Sequence, residues 1–227
     1  KISSAGVVST YSLVYTTASG AYQGGVLDTN GDIHFVPYNA NRGQKISSAG
    51  VVSTYSLVYT STFAYSGGVL ATNGDIHFVP FGANRGQKIS SAGVVSTYSL
   101  VYTTGAAYAG GVLDTNGDIH FVPYSANRGQ KISSAGVVST YSLVYTTSFA
   151  YYGGVLNQAN TEIHFVPRST PVGQKLNLNL INTFVGFGEY YYTPSATPNS
   201  AGSGAVITFN PVSWYQTANA QSAIIIK

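Results

Sequence analysis

Short β-rich runs separated by turn signals dominate the chain, and no stretch carries the 3.6-residue apolar period of a helix. The residues from Ala64 to Tyr102 show the pattern. Tyr65-Ser-Gly-Gly-Val-Leu-Ala71 reads as a first strand, its glycine pair marking a close approach of backbones. Asn73-Gly74 predicts a hairpin with a type I′ turn, which needs positive φ at both central residues. Ile76-His-Phe-Val79 is a second strand, stopped by Pro80. Asn84-Arg85-Gly86 reads as a loop, Gln87-Lys88-Ile89-Ser90 as a short third strand, and the alternating stretch Val94–Tyr102 as a fourth.

This four-strand phrase repeats. KISSAGVVSTYSLVYT starts at Lys1, Lys45, Lys88 and Lys131, and GGVL-x-x-NGDIHFVP at Gly24, Gly67 and Gly110, with the looser GGVLNQANTEIHFVP at Gly153. The period is 43 residues, with one extra residue in the first unit. Four strands per unit of that length is the blade of a β-propeller. Units are expected at about 1–20, 21–63, 64–106, 107–149 and 150–193, with a degenerate closing segment over 194–227, all in one domain over 1–227. Lys1–Tyr15 matches the third and fourth strands of a blade. Gln174–Ile181 and Thr183–Tyr192 supply the outer strands of the fourth unit. Gly204–Phe209 and Ala223–Ile226 then resemble a first and second strand that Lys1–Tyr15 would complete. The expected fold is thus all-β, a propeller of five blades closed by its two ends, which would leave no long free edge. A four-bladed ring and an open β-solenoid or fibre are the alternatives.

Charge and composition narrow the function. Only 7% of the residues are charged, against roughly 25% in an ordinary globular chain. The net charge of +3 is weak and its ten basic residues are scattered, so no nucleic-acid stripe forms. With no Cys there is neither a disulfide nor a thiolate metal site. No apolar run approaches the roughly 20 residues of a membrane-spanning helix. The chain has no Met and starts in mid-phrase, as a processed product or an excerpt of a longer polypeptide would.

The copies differ mainly in two places: the link between units (17–23, 61–66, 104–109, 147–152) and the second-to-third turn (Tyr38-Asn39, Phe81-Gly82, Tyr124-Ser125, Arg168-Ser169). In a meander both lie at the same end of the blade. Loops tolerate change, but one-sided divergence also fits a face tuned for partners. That end carries Arg42, Arg85, Arg128 and Arg168 beside Tyr38, Phe81 and Tyr124, with Tyr22, Tyr65, Tyr108 and Tyr151 in the links. Guanidinium forks suit acid groups and aromatic rings offer stacking faces, so these residues form the candidate site for an anionic or polar glycan. The competing reading has each Arg satisfying carbonyls within its own blade.

Other chemistry is thin. Asp28-Thr-Asn-Gly-Asp32 looks like the start of a calcium loop, but its twelfth position is Asn39 rather than Glu. His34, His77, His120 and His164 recur on the second strand, away from a propeller axis, and are read as structural. No nucleophile elbow, paired acids or phosphate loop stands out. The expectation is a non-enzymatic protein without metal or cofactor.

The phrases GGVL-x-x-NGDIHFVP and GQKISSAGVVSTYSLVYT resemble repeats in virion proteins of tailed, particularly marine, phages, where β-rich proteins decorate heads or form tail and fibre tips. The resemblance covers Lys1 to about Lys175. It implies a virion-surface protein meeting host-surface polysaccharide and other virion proteins, with no membrane insertion. The five-bladed architecture is similar to that of tachylectin-2-type lectins, which carry one sugar site per blade; no residue is carried over from it. A purely structural decoration or spacer and a secreted lectin are the alternatives. Glu189–Tyr192 and Trp214-Tyr215 in the tail are candidates for contact within a homo-oligomer or with the virion.

Overall fold

The computed structural model describes residues 1–2, 4–15 and 19–178, together with two strands at 195–198 and 205–208. The chain divides into two compact units, Lys1–Ile181 and Asn182–Lys227, where the repeat reading has a single domain. The phrases that build the first unit are missing from the second.

The first unit is a set of antiparallel meanders. Sheet one holds β1 (Tyr22–Leu27), β2 (Ile33–Pro37), β3 (Arg42–Ile46) and β4 (Val52–Ser56). Sheet two holds β5 (Tyr65–Leu70), β6 (Ile76–Pro80), β7 (Arg85–Ile89) and β8 (Val95–Ser99). Sheet three holds β9 (Tyr108–Leu113), β10 (Ile119–Pro123), β11 (Arg128–Ile132) and β12 (Val138–Ser142). Sheet four shows β13 (Tyr151–Leu156), β14 (Glu162–Pro167) and β15 (Gln174–Asn177); its expected fourth strand, 183–192, lies outside the described residues. These are β-propeller blades. Their first strands, β1, β5, β9 and β13, pack side by side in that order.

Two local expectations change. The hairpin turn is not type I′: Asn30, Asn73 and Asn116 stay at negative φ and only Gly31, Gly74 and Gly117 are left-handed, at φ of 80–83°. The Gly31 N–H bonds the Asp28 carbonyl at 3.2 Å, and the Asp28 N–H bonds the Asp32 carbonyl at 2.8 Å. That is a type I turn followed by a left-handed residue, the other common hairpin solution. Asn160 takes the same place in the fourth blade, at φ 57°. The second change is that Arg85-Gly86 is strand rather than loop, paired with Ser99 and Tyr98. A Cβ on Gly86 would stand 2.0 Å from the Tyr98 ring, so the ring lies flat over bare backbone.

Blades two and three are apolar on both sides because each is sandwiched between neighbours, as buried strands require. Val26 and Val36 of blade one pack on Tyr65, Ile76 and Phe78 of blade two, and the same cluster recurs at the next two seams. The valines press into the second glycine of the GGVL phrase. A Cβ on Gly111 would lie 2.7 Å from a Val69 methyl and 3.2 Å from a Val79 methyl. A polar clasp reinforces each seam. The Val58 and Tyr59 N–H groups donate to Gln87 Oε1 at 3.0 and 2.8 Å, and Gln44, Gln130 and Gln174 hold the equivalent pairs. The stretch expected to continue the fourth strand, Leu100–Tyr102, leaves β8 to make this clasp with Gln130.

The end blades each show half a seam. Ile33 is 41% exposed where Ile76 is 1%, and Val166 is 47% exposed where Val122 is fully buried. The segment 1–15, expected as two strands, forms only an isolated bridge, Ile2↔Val8. A third strand needs a second strand to pair with, and none of the described residues plays that part. Its last two residues nevertheless keep the blade role, since the Val14 and Tyr15 N–H groups donate to Gln44 at 2.9 and 2.8 Å.

In the second unit β16 (Ser195–Pro198) pairs antiparallel with β17 (Ala205–Thr208). The expected strand at 204–209 therefore exists over 205–208 and pairs with an upstream strand; the expected strand 223–226, Glu189–Tyr192 and Trp214-Tyr215 lie outside the described residues.

Candidate functional site

Strand order sends the chemistry to opposite ends of the blades. Among the described residues, all six carboxylates (Asp28, Asp32, Asp75, Asp114, Asp118 and Glu162) flank the first-to-second turns. Arg42, Arg85, Arg128 and Arg168 stand at the other end, where the copies diverge.

The carboxylate end is internally satisfied. Lys45–Asp32, Lys88–Asp75, Lys131–Asp118 and Lys175–Glu162 are ion pairs of 2.7, 2.7, 2.6 and 2.6 Å. The Lys45 hydrogen bond, then the Ser48 N–H, holds the Asp32 carboxyl below its usual range. Burial alone would raise Asp75, but Lys88 and the Ser91 N–H outweigh it and the carboxyl is again held low. Asp28 Oδ1 caps its turn by accepting the Asn30 and Asp32 N–H groups, and Oδ2 lies 3.3 Å from His34 Nε2. Asp114 repeats this with His120. Asp114, Asp118 and His120 converge closely enough to suit a metal ion. The Lys131 ammonium, however, already supplies positive charge on Asp118. A cleft of about 190 Å³ between blades one and two, lined by Asp28, His34, Lys45, Ser90 and Ser91, lies at this end.

Blade two is the odd one, because Ala71 replaces the aspartate. Burial, reinforced by Lys88, lowers the His77 pKa to about 4 from 6.5. The folded chain therefore binds this proton less tightly than the unfolded chain does. The resulting stability is complete above about pH 6.5 and is lost as the pH falls towards 4. Ala71→Asp should raise the His77 pKa and flatten the pH dependence of the melting temperature over that window. An NMR titration of the ring protons checks this, and an unmoved His77 would refute the pairing.

The divergent end carries a row of rings, of which Phe63, Phe149 and Tyr152 are exposed, Tyr38 and Phe81 are half-buried and Tyr124 is buried. Tyr38, Phe81 and Tyr124 open the second-to-third turns of three successive blades, at centroid spacings of 5.8 and 5.4 Å. Phe63 from the second link packs on Tyr38, and Phe149 from the fourth link on Tyr124, each at 5.1 Å. In the fourth blade Arg168 takes the place of the ring. Its guanidinium carbon lies 5.0 Å from the Tyr124 centroid, 5.6 Å from Tyr152 and 5.9 Å from Phe149, which is cation–π range. Tyr152 also accepts a hydrogen bond from the Gln23 side chain, so the first and last of the described blades meet there.

The two divergent places are physically coupled. Phe63 and Phe149 have left-handed backbones, φ 56° and 61°, where the first copy has Gly20. A side chain there costs roughly 1–2 kcal/mol. Each strained N–H is held by the variable residue of the preceding turn: Phe63 by Asn39 Oδ1 at 2.9 Å, Phe149 by Ser125 Oγ at 3.3 Å. Between them stands the pair Gly82 and Ala106, which has neither ring nor hydroxyl.

The expected site residues are thus split. Tyr38, Phe81, Tyr124 and Arg168 come together. Arg42, Arg85 and Arg128 lie exposed at the same end, outside every ion pair among the described residues. Beyond the strand ladder, their backbone carbonyls accept hydrogen bonds from the hydroxyls of Tyr22, Tyr65 and Tyr108 at 2.9, 3.1 and 3.1 Å. Tyr65, Tyr108 and Tyr151 are a correction: all three are fully buried seam residues and cannot touch a ligand. Tyr22 has the same role, half-covered at the open end blade, and burial pushes its pKa up to about 12. Phe63, Phe149 and Tyr152 were not expected. The signal was present: the link tyrosine is identical in all four copies, as scaffold is, whereas these three positions vary.

The sequence matches no protein-family profile and no curated protein. Solved structures do resemble the fold. Streptogramin B lyase superposes with a TM-score of 0.57 at 22% identity over 69% of this chain and 53% of its own. Virginiamycin B lyase from Staphylococcus aureus gives 0.57 and 22% over 69% and 55%. A functionally unknown protein from Desulfotomaculum acetoxidans gives 0.55 and 13% over 77% and 57%. The chain spans little more than half the length of these three proteins, and at such identity what they share with it is the β-propeller.

Proposed function

We propose that this protein is a non-enzymatic adhesion module of a virion surface, binding host-surface glycan through the divergent end of its blades. The observation that carries the reading is the pair of exposed link rings, Phe63 and Phe149, on strained backbone beside the aromatic row. Phe63 and Phe149 are 52% and 49% exposed in a left-handed conformation that glycine adopts without strain. The left-handed link position is kept in the middle copy too, by Ala106 at φ 55°, and in two copies it puts an exposed ring at the divergent end; such outliers cluster at functional sites. The carboxylates at the other end are committed to lysines and turn caps, which leaves no obvious acid–base pair. The virion setting rests on the phrases shared with tailed-phage repeats. The same reading includes a fifth blade covering the two open half-seams, since Gln44 already clasps Val14 and Tyr15 as it would the exit of a preceding blade.

A glycan array with the intact chain and two variants tests the proposal. Phe63→Gly/Phe149→Gly should gain about 1 kcal/mol of stability by relieving strain and lose glycan binding. Arg42→Ala/Arg85→Ala/Arg128→Ala should weaken binding without unfolding. Undiminished binding in both variants would sink the assignment. The open half-seams favour a second reading, a structural virion spacer; a symmetric protein interface over the aromatic row, with no glycan bound, would establish it.

A further inference from the structure

From the separation of charge between the two ends we infer that the ligand is an acidic polysaccharide whose acid groups are carboxylates, read by Arg168 within the aromatic row and by Arg42, Arg85 and Arg128 around it. This rests on the glycan reading above and specifies its chemistry.

Four guanidinium groups at one end face no carboxylate among the described residues, since all six of those are at the other end, four of them bound to lysine. Among the described residues the ligand side therefore carries four uncompensated positive charges. Such a field raises the local concentration of a polyanion. The cations there are arginines, whereas Lys45, Lys88, Lys131 and Lys175 are paired at the opposite end. Guanidinium binds planar acid groups by a two-pronged hydrogen bond that ammonium cannot make.

The position of Arg168 gives the site its grain. It stands where three other blades have Tyr38, Phe81 and Tyr124, and its guanidinium lies on rings from two of the neighbouring positions. Ring contact orients the guanidinium plane and leaves its edge free. A uronate can set its apolar C–H face on Tyr152 or Phe149 and its carboxylate on that edge. Successive sugars then follow the row towards Phe81 and Tyr38. A nucleic-acid strand fits less well. The rings pack on one another at 5.1–5.9 Å with interplanar angles of 50–66°, so no gap accepts a base in parallel stack.

The test is calorimetric titration of the full chain with oligogalacturonate, a neutral oligogalactan, a sulfated oligosaccharide and single-stranded DNA. Oligogalacturonate should bind tightest, and its affinity should fall steeply with salt, because the contacts are exposed charges. Arg168→Gln should cost about 10- to 100-fold, as loss of a charged hydrogen bond does, with Arg168→Lys recovering little of it. Arg42→Gln should cost less and make the salt dependence shallower. Circular dichroism melts of each variant should match the parent, since all four side chains are exposed. Equal binding of the neutral oligosaccharide, or indifference to Arg168→Gln, overturns the acidic ligand while leaving glycan binding in place. Preference for the sulfated sugar overturns the carboxylate assignment. Binding of DNA alone, or of none of the four, overturns both.

Discussion

Val122→Asp is expected to unfold the protein at room temperature, while Val166→Asp, the same change at the matching position one blade later, leaves it folded. Val122 is fully buried at the seam between blades three and four, where it packs on Gly154 at a distance that would bring a Cβ to 3.1 Å. A carboxylate there is stranded without a partner, at a cost of about 4 kcal/mol or more, a large fraction of a domain's stability. Val166 is half exposed on the open face of blade four, and its carboxylate would keep its water. The difference in urea midpoint between the two variants measures the seam directly. Similar losses for both would mean that the open face is covered in solution, which is the signature of a fifth blade or a partner.

Gly129→Ala is expected to cost about 3 kcal/mol, as overpacking of a rigid site does. The new methyl would start 2.0 Å from Cε2 of Tyr141 and 2.2 Å from Cζ, and the ring is hemmed in by His120 at a centroid distance of 5.8 Å. Tyr141→Ala alone should also be costly, because it empties a buried site. The two should not add. With the ring gone the methyl has room, so the double variant should be more stable than the sum of the single losses by at least about 1 kcal/mol. Additive losses would show that the ring is not what Gly129 accommodates. Gly43 with Tyr55 and Gly86 with Tyr98 repeat the geometry and supply two independent controls.

Such internal controls exist because the chain solves one packing problem several times. They also show what could be read from the sequence. Strand identity and order were legible, since alternation, β-branching and the Asn-Gly turn are local properties. The choice of turn type was not. Asn-Gly permits both solutions, and here the type I form with one left-handed residue closes on the same backbone bond in each copy, Asp28–Asp32, Ala71–Asp75 and Asp114–Asp118, with or without an aspartate cap. The candidate site was half legible. Divergence pointed to the end of the blades where Arg168, Tyr38, Phe81 and Tyr124 come together. The link tyrosines misled, because aromatic character was weighed and sameness was not. Nothing local distinguishes Tyr65, whose hydroxyl bonds the Arg85 carbonyl inside a seam, from Phe63 two residues earlier, which faces solvent.

The sequence by itself determined the blade, because four short strands with fixed turns follow from propensity and period, both carried within one 43-residue unit. It also determined that the blades differ at one end only. The tertiary structure alone decided which of those differences touch. Residues 24 positions apart, Asn39 with Phe63 and Ser125 with Phe149, meet because a turn and the following link fold back to the same end. It alone decided that, among the described residues, the arginines are unopposed while Lys45, Lys88, Lys131 and Lys175 are paired. Charge balance is set by which side chains end up within a few ångströms, and strand direction sends Asp32 to Lys45 and away from Arg42.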